Sequence, residues 1–171
     1  MSPLRVVLGP PALGSPASLR RHVEGLRARG VEARAIALPR GRAETAVPTF
    51  QALSGPDVVA GGHSFGGRVA SLAAVEATFA GLLLFAYPLA GRGEERTRHL
   101  ASLRCPTLVL QGEADELSPI GEVRRLIAAA PLVRLVTFPG ADHQLHGALE
   151  RALDEAAAFL HGLEAVRSDS G

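Results

Sequence analysis

The stretch Val58-Val59-Ala60-Gly61-Gly62-His63-Ser64-Phe65-Gly66-Gly67-Arg68-Val69-Ala70-Ser71-Leu72 decides the fold. A short β-branched run stops at two glycines, a serine follows, and Val69, Leu72 and Ala73 then recur at helical spacing. This is a strand, a sharp turn and a helix. The turn carries Gly62-His63-Ser64-Phe65-Gly66, in which a serine on so tight a bend is held in strained backbone. The positions two before and two after it must lack side chains for strand and helix to close up, and both are glycine. The Ser64 hydroxyl is then expected to point off the carboxyl edge of a sheet. The backbone N–H of Phe65, at the helix start, is expected to face a developing oxyanion. The alternative is a glycine-rich turn that merely joins a strand to a helix.

Outward from this turn the pattern repeats. Leu4 to Leu8 reads as a buried strand ended by Pro10-Pro11, and Ser18 to Arg29 as a helix with Leu19, Val23 and Leu26 inward and Gly30 as terminator. Val31 to Leu38 is the next strand. Pro39 to Pro48 reads as a loop and Thr49 to Leu53 as a short helix. Asp57 to Ala60 enters the serine turn, and the helix leaving it is expected to run to about Thr78. Gly81 to Ala86, Pro106 to Gln111 and Val133 to Phe138 read as strands. The helices between and after them are Gly93 to Leu103, Pro119 to Ala130 and Leu145 to Leu163, with a polar tail from Arg167 to Gly171 expected to fray. About six strands alternating with helices, several of them continuous apolar runs, predict one α/β domain over 1–166, its mostly parallel sheet covered on both faces.

Composition narrows the function classes. The 171 residues suit a single domain, and 47% hydrophobic with 20% charged residues is a folded composition. A net charge of +1 without a basic stripe argues against nucleic acid as partner. All 18 basic residues are arginine, so lysine Schiff-base chemistry is excluded. The single cysteine, Cys105, allows neither an internal disulfide nor a paired-cysteine metal site. No apolar run reaches membrane-spanning length, and Val6-Val7-Leu8 is too short for a signal peptide, so a cytoplasmic location without membrane association is expected.

In a parallel sheet, functional groups belong in loops after the carboxyl ends of strands. After Leu108-Val109-Leu110 comes Gln111-Gly112-Glu113-Ala114-Asp115-Glu116, and after Val136-Thr137-Phe138 comes Pro139-Gly140-Ala141-Asp142-His143. A serine hydroxyl is a weak nucleophile unless a base takes its proton; His143 suits that role, and Asp115 suits fixing the imidazole tautomer. Asp115 alone would equally serve a turn, His143 alone a surface loop, and Glu113 or Glu116 could replace Asp115 as the acid. His143 and His146 lack the spacing and acidic partner of a metal pair. His63 is expected to pack or bond locally, Asp142 to stabilise its turn, and His22, His99 and His161 to lie on helix surfaces. Arg68 reads as structural, with an anion contact beside the serine as the alternative.

The blocks Gly61 to Ser71, Tyr87-Pro88-Leu89, Pro106 to Asp115 and Pro139 to His143 resemble the α/β-hydrolase superfamily, in its short branch related to dienelactone hydrolases and testis-expressed protein thirty. The resemblance implies a minimal fold lacking two amino-terminal strands, with Ser64, Asp115 and His143 as nucleophile, acid and base in the chain order of that superfamily. Dienelactone hydrolases proper use a cysteine as nucleophile, so their substrate does not carry over. Only about one helix stands where larger relatives insert a lid, which implies an open site. The loop Leu8-Gly9-Pro10-Pro11-Ala12-Leu13-Gly14 departs from the family's His-Gly pattern, and proline has no N–H to offer an oxyanion. Ala12 or Leu13 is then the expected second donor, beside Phe65.

These readings point to a serine hydrolase acting on a small ester or thioester through an acyl-enzyme, with neither metal nor organic cofactor. The rival is a hydrolase-fold binding or scaffold protein of weak or no activity. An uncovered first sheet edge makes a homodimer the expected association, if any.

Overall fold

The runs that read as doubly buried strands occupy the middle of the sheet in the computed structural model, which describes residues 1–171. Six parallel strands are present: β1 (Arg5–Gly9), β2 (Glu32–Ala35), β3 (Gly55–His63), β4 (Phe79–Phe85), β5 (Thr107–Gly112) and β6 (Val133–Phe138). Their spatial order is β2-β1-β3-β4-β5-β6. The connections carry α1 (Arg20–Arg27), α2 (Ala43–Gln51), α3 (Phe65–Ala73), α4 (Gly93–Thr97) and α5 (Ile120–Ile127), and α6 (Leu149–Asp169) closes the chain. The strand order reverses between β1 and β3, so the loops leaving these neighbours diverge and open a crevice at the carboxyl edge.

Alternation along the interior strands builds two cores. Leu82, Leu84 and Val109 face one side with Phe50 of α2, Val69 of α3 and Val123 of α5. Leu83, Phe85, Leu108 and Leu110 face the other, against Leu26 of α1 and Leu153 and Leu160 of α6. Burial on both faces is why these strands read as unbroken apolar runs. The edge strands are different: β6 is mostly half-exposed, and β2 presents Glu32 and Arg34 to solvent. Charges on a four-residue edge hinder pairing with another chain.

Several boundaries differ from the sequence reading, each for a local reason. The segment read as a loop before Pro48 holds α2, which runs through that proline. Burial of Ala43, Ala46 and Phe50 outweighs the backbone hydrogen bond that Pro48 cannot donate. The last helix begins at Leu149, four residues later than Leu145, because Leu145 (φ 57°) and Gly147 (φ 72°) take left-handed turn conformations. It continues through Asp169 across the tail expected to fray; no breaker interrupts Glu164 to Ser168, and Arg167 Nη2 donates to Ser2 O at 3.3 Å. The helix after the serine turn ends at Ala73, short of Thr78, and the one expected from Gly93 to Leu103 is α4 followed by a tighter 3-10 turn, Arg98–Ser102. No helix is long and apolar enough to cross a membrane.

Candidate active site

Ser64 sits between β3 and α3 at φ 52° and ψ −115°, a strained conformation for a residue with a side chain. Two close approaches hold it there. A Cβ at position 62 would meet the Gly66 carbonyl carbon at 2.8 Å and the Gly67 nitrogen at 2.9 Å. One at position 66 would be driven into the carbonyl of Gly9 and to 2.8 Å from Pro10 O. The elbow glycines are therefore required by β1 and its following loop as much as by the turn itself.

Three residues from three loops meet at this edge of the sheet. His143 Nε2 lies 2.9 Å from Ser64 Oγ, and His143 Nδ1 lies 2.6 Å from Asp115 Oδ2. Asp115 is buried, and its oxygens also accept from Gln111 Nε2 at 2.8 Å and from the Leu117 N–H at 2.9 Å. With Asp115 Oδ2 accepting the hydrogen bond from Nδ1–H, Nε2 is left to accept from the Ser64 hydroxyl.

The neighbouring acids are engaged elsewhere. Glu113 accepts from Thr137 Oγ1 at 2.7 Å and pairs with Arg124 at 3.2 Å, and Glu116 is exposed. Asp142 caps its turn, accepting the Gln144 and His146 N–H groups and pairing with His146 Nδ1 at 2.7 Å.

A family model described as an alpha/beta hydrolase domain matches residues 34–166. The chain belongs to that family. Among solved structures, the α/β-hydrolase chain is similar to Est1E from Butyrivibrio proteoclasticus, at 16% identity and a TM-score of 0.78 over 96% of this chain and 89% of that one. It is similar to a dienelactone hydrolase from Anabaena variabilis, at 22% identity and a TM-score of 0.77 over 94% and 87%. Esterase 2 of Thermogutta terrifontis, solved phosphonylated by sarin, matches at 19% identity and 0.71 over 93% and 84%. At these identities the likeness is one of fold. No curated protein matches the sequence.

The loop after β1 packs against the elbow of this α/β hydrolase, with Gly9 O and Pro10 O beside Gly66. Pro11, Ala12, Leu13 and Phe65 line one pocket of about 190 Å³ with Leu38 and Arg40. The N–H groups of Ala12 and Leu13 donate to no backbone carbonyl.

Behind Ser64 and His143 lies a histidine chain that sequence reasoning missed. His63 Nε2 donates to the His143 carbonyl at 2.9 Å, which makes its Nδ1 the acceptor for His22 Nε2 at 3.3 Å. His22 and His63 are both buried; burial first, then neighbouring charge, pushes their pKa values down to about 3 and about 4. Both stay neutral at pH 7. His22, expected on the helix surface, shares the inward face with Leu19, Val23 and Leu26, a spacing that could have revealed it. His99 is also drawn in, with Nε2 2.8 Å from Ser71 Oγ. Gln111, hidden at the end of an apolar run, links Asp115 to the Tyr87 N–H, which donates to its Oε1 at 2.9 Å.

Proposed function

We propose that this α/β hydrolase is a serine hydrolase cleaving a small ester or thioester through an acyl-enzyme on Ser64. The observation that carries the reading is the continuous Ser64–His143–Asp115 hydrogen-bond line, ending on a serine in strained backbone at the sheet's switch point. Ser64 Oγ attacks the acyl carbon as its proton passes to His143 Nε2, and Asp115 stabilises the imidazolium. The tetrahedral oxyanion is met by the N–H groups of Phe65 and Ala12, donors fixed before the charge develops. Collapse breaks the bond to the alkoxy or thiolate group, which leaves with the His143 proton. Water, deprotonated by the same imidazole, then attacks the acyl-enzyme and frees the acid and Ser64, so the cycle balances with water as its only co-reactant.

The short β4–β5 connection, holding only α4 and one 3-10 turn, supports an open site and a short acyl group. A fluorophosphonate probe should label the wild type and not Ser64→Ala, and short-chain p-nitrophenyl esters should be hydrolysed. No labelling of Ser64 together with no hydrolysis would favour the binding-protein alternative.

A further inference from the structure

Arg68 holds a charge where solvent scarcely reaches it. It stands four residues after Ser64 in α3, with 12% of its side chain exposed. Its Nε is buried with no hydrogen-bond partner, and its Nη2 reaches Glu44 Oε1 only at a long 3.5 Å. A buried cation paired only at long distance destabilises a fold, and an incoming anion at its exposed end strengthens that pairing.

Around Arg68 opens a pocket of about 200 Å³, also lined by Arg42, Arg92 and Arg96. Two carboxylates, Glu44 and Glu95, line it too, so four guanidinium groups face two acids. Those acids hold the arginines loosely: Glu44 is 3.8 Å from Arg42 and Glu95 is 3.9 Å from Arg92, and over half of each acid side chain is in solvent. Arg96 is the more confined; burial, then the charges of Arg68 and Arg92, push its pKa down. Phe65, the residue after Ser64, and Gly41 line both this pocket and the one along the Pro10 to Gly14 loop, so the two adjoin at Phe65.

We propose that the arginine pocket binds the anionic end of the substrate, a carboxylate or phosphate, so that the bond cleaved at Ser64 belongs to an ester or thioester with an acidic tail. The proposal rests on the serine-hydrolase reading for the reaction, and on the pocket alone for the charge. Guanidinium forks match the paired oxygens of either anion, and the excess positive charge raises the local concentration of such substrates.

The test compares p-nitrophenyl butyrate with the mono-p-nitrophenyl ester of glutaric acid. The charged ester should show kcat/KM at least about tenfold higher, through KM, as expected when a site built for a polar group meets an analogue lacking it. Arg92→Gln should bring the ratio close to one; its side chain is 65% exposed, so the fold survives the change. Arg20→Gln, on the wet face of α1, should leave the ratio alone. A second readout avoids chemistry: in calorimetry Ser64→Ala should bind monomethyl glutarate or inorganic phosphate, weakening with salt, but not dimethyl glutarate, and the tighter anion identifies the tail. Equal kcat/KM for the two p-nitrophenyl esters, or an unchanged ratio in Arg92→Gln, overturns the proposal while leaving the hydrolase reading intact. Anion binding without hydrolysis of either ester does the reverse.

Discussion

Replacing Gly66 by alanine tests the packing that joins the elbow to the loop after β1. The new methyl would be driven into the Gly9 carbonyl and would stand 2.8 Å from Pro10 O, against 3.4 Å or more in ordinary contact. Both obstacles are backbone, so relief requires moving the loop, the helix start, or both, by on the order of 1 Å. Overpacking of this kind costs about 3 kcal/mol at the upper end of its usual range. For a domain of this size, that lowers Tm by roughly 6–12 °C. The same movement displaces Ala12 relative to Ser64, and a shift of about 1 Å in a catalytic arrangement lowers turnover on the order of a hundredfold. Thermal melts and p-nitrophenyl ester hydrolysis would be measured together on Gly66→Ala and Gly162→Ala. Position 162, inside α6, has open space where a Cβ would go. There alanine should stabilise by about 0.5–1 kcal/mol through its better helix propensity. A Gly66→Ala protein with the melting point and kcat/KM of the wild type would refute the reasoning.

Asp115→Asn should lower kcat about ten-thousandfold, because the amide no longer selects the productive histidine tautomer; steady-state kinetics against unchanged far-UV circular dichroism checks it. His63→Leu removes the donor to the His143 carbonyl and orphans His22 Nε2, so it should destabilise by about 1–3 kcal/mol in urea titrations and lower kcat. Stability should also depend on pH through three histidines whose pKa values burial depresses from 6.5 to about 3 for His22 and about 4 for His63 and His99. Below pH 6.5 the unfolded chain binds protons that the folded chain refuses. Stability is therefore full above pH 6.5 and is lost as pH falls toward 4, with a slope of up to about 1.4 kcal/mol per pH unit for each histidine. Urea midpoints between pH 4 and 7 measure that slope, and His99→Gln should make it shallower.

The interior strands and the three residues of the hydrogen-bonded line were legible because their signals are local. Leu82 to Phe85 and Leu108 to Leu110 are buried on both faces, so hydrophobicity alone marks them, and Gly62 and Gly66 announce a bend that other residues would obstruct. What escaped reading depends on distant packing. Nothing near Pro48 says that Phe50 has a core to enter, and a proline weighs heavily in any local judgement of helix. Arg20 and Arg21 just before His22 made that one position look wet, although it shares the inward face with Leu19, Val23 and Leu26. Gln111 and the His63–His22 chain matter only through contacts across 24, 80 and 41 residues of sequence, which periodicity does not reach.

The proton line hangs between unequal supports. Ser64 leaves a central strand, whereas His143 follows β6, an edge strand half open to water. Edge elements open at lower free energy than the interior. Partial unzipping at that border would carry the imidazole off while the remaining strands stay paired. Esterase activity should therefore vanish at milder urea than ellipticity does, with amide exchange in Val133 to Phe138 outpacing that in Leu82 to Phe85.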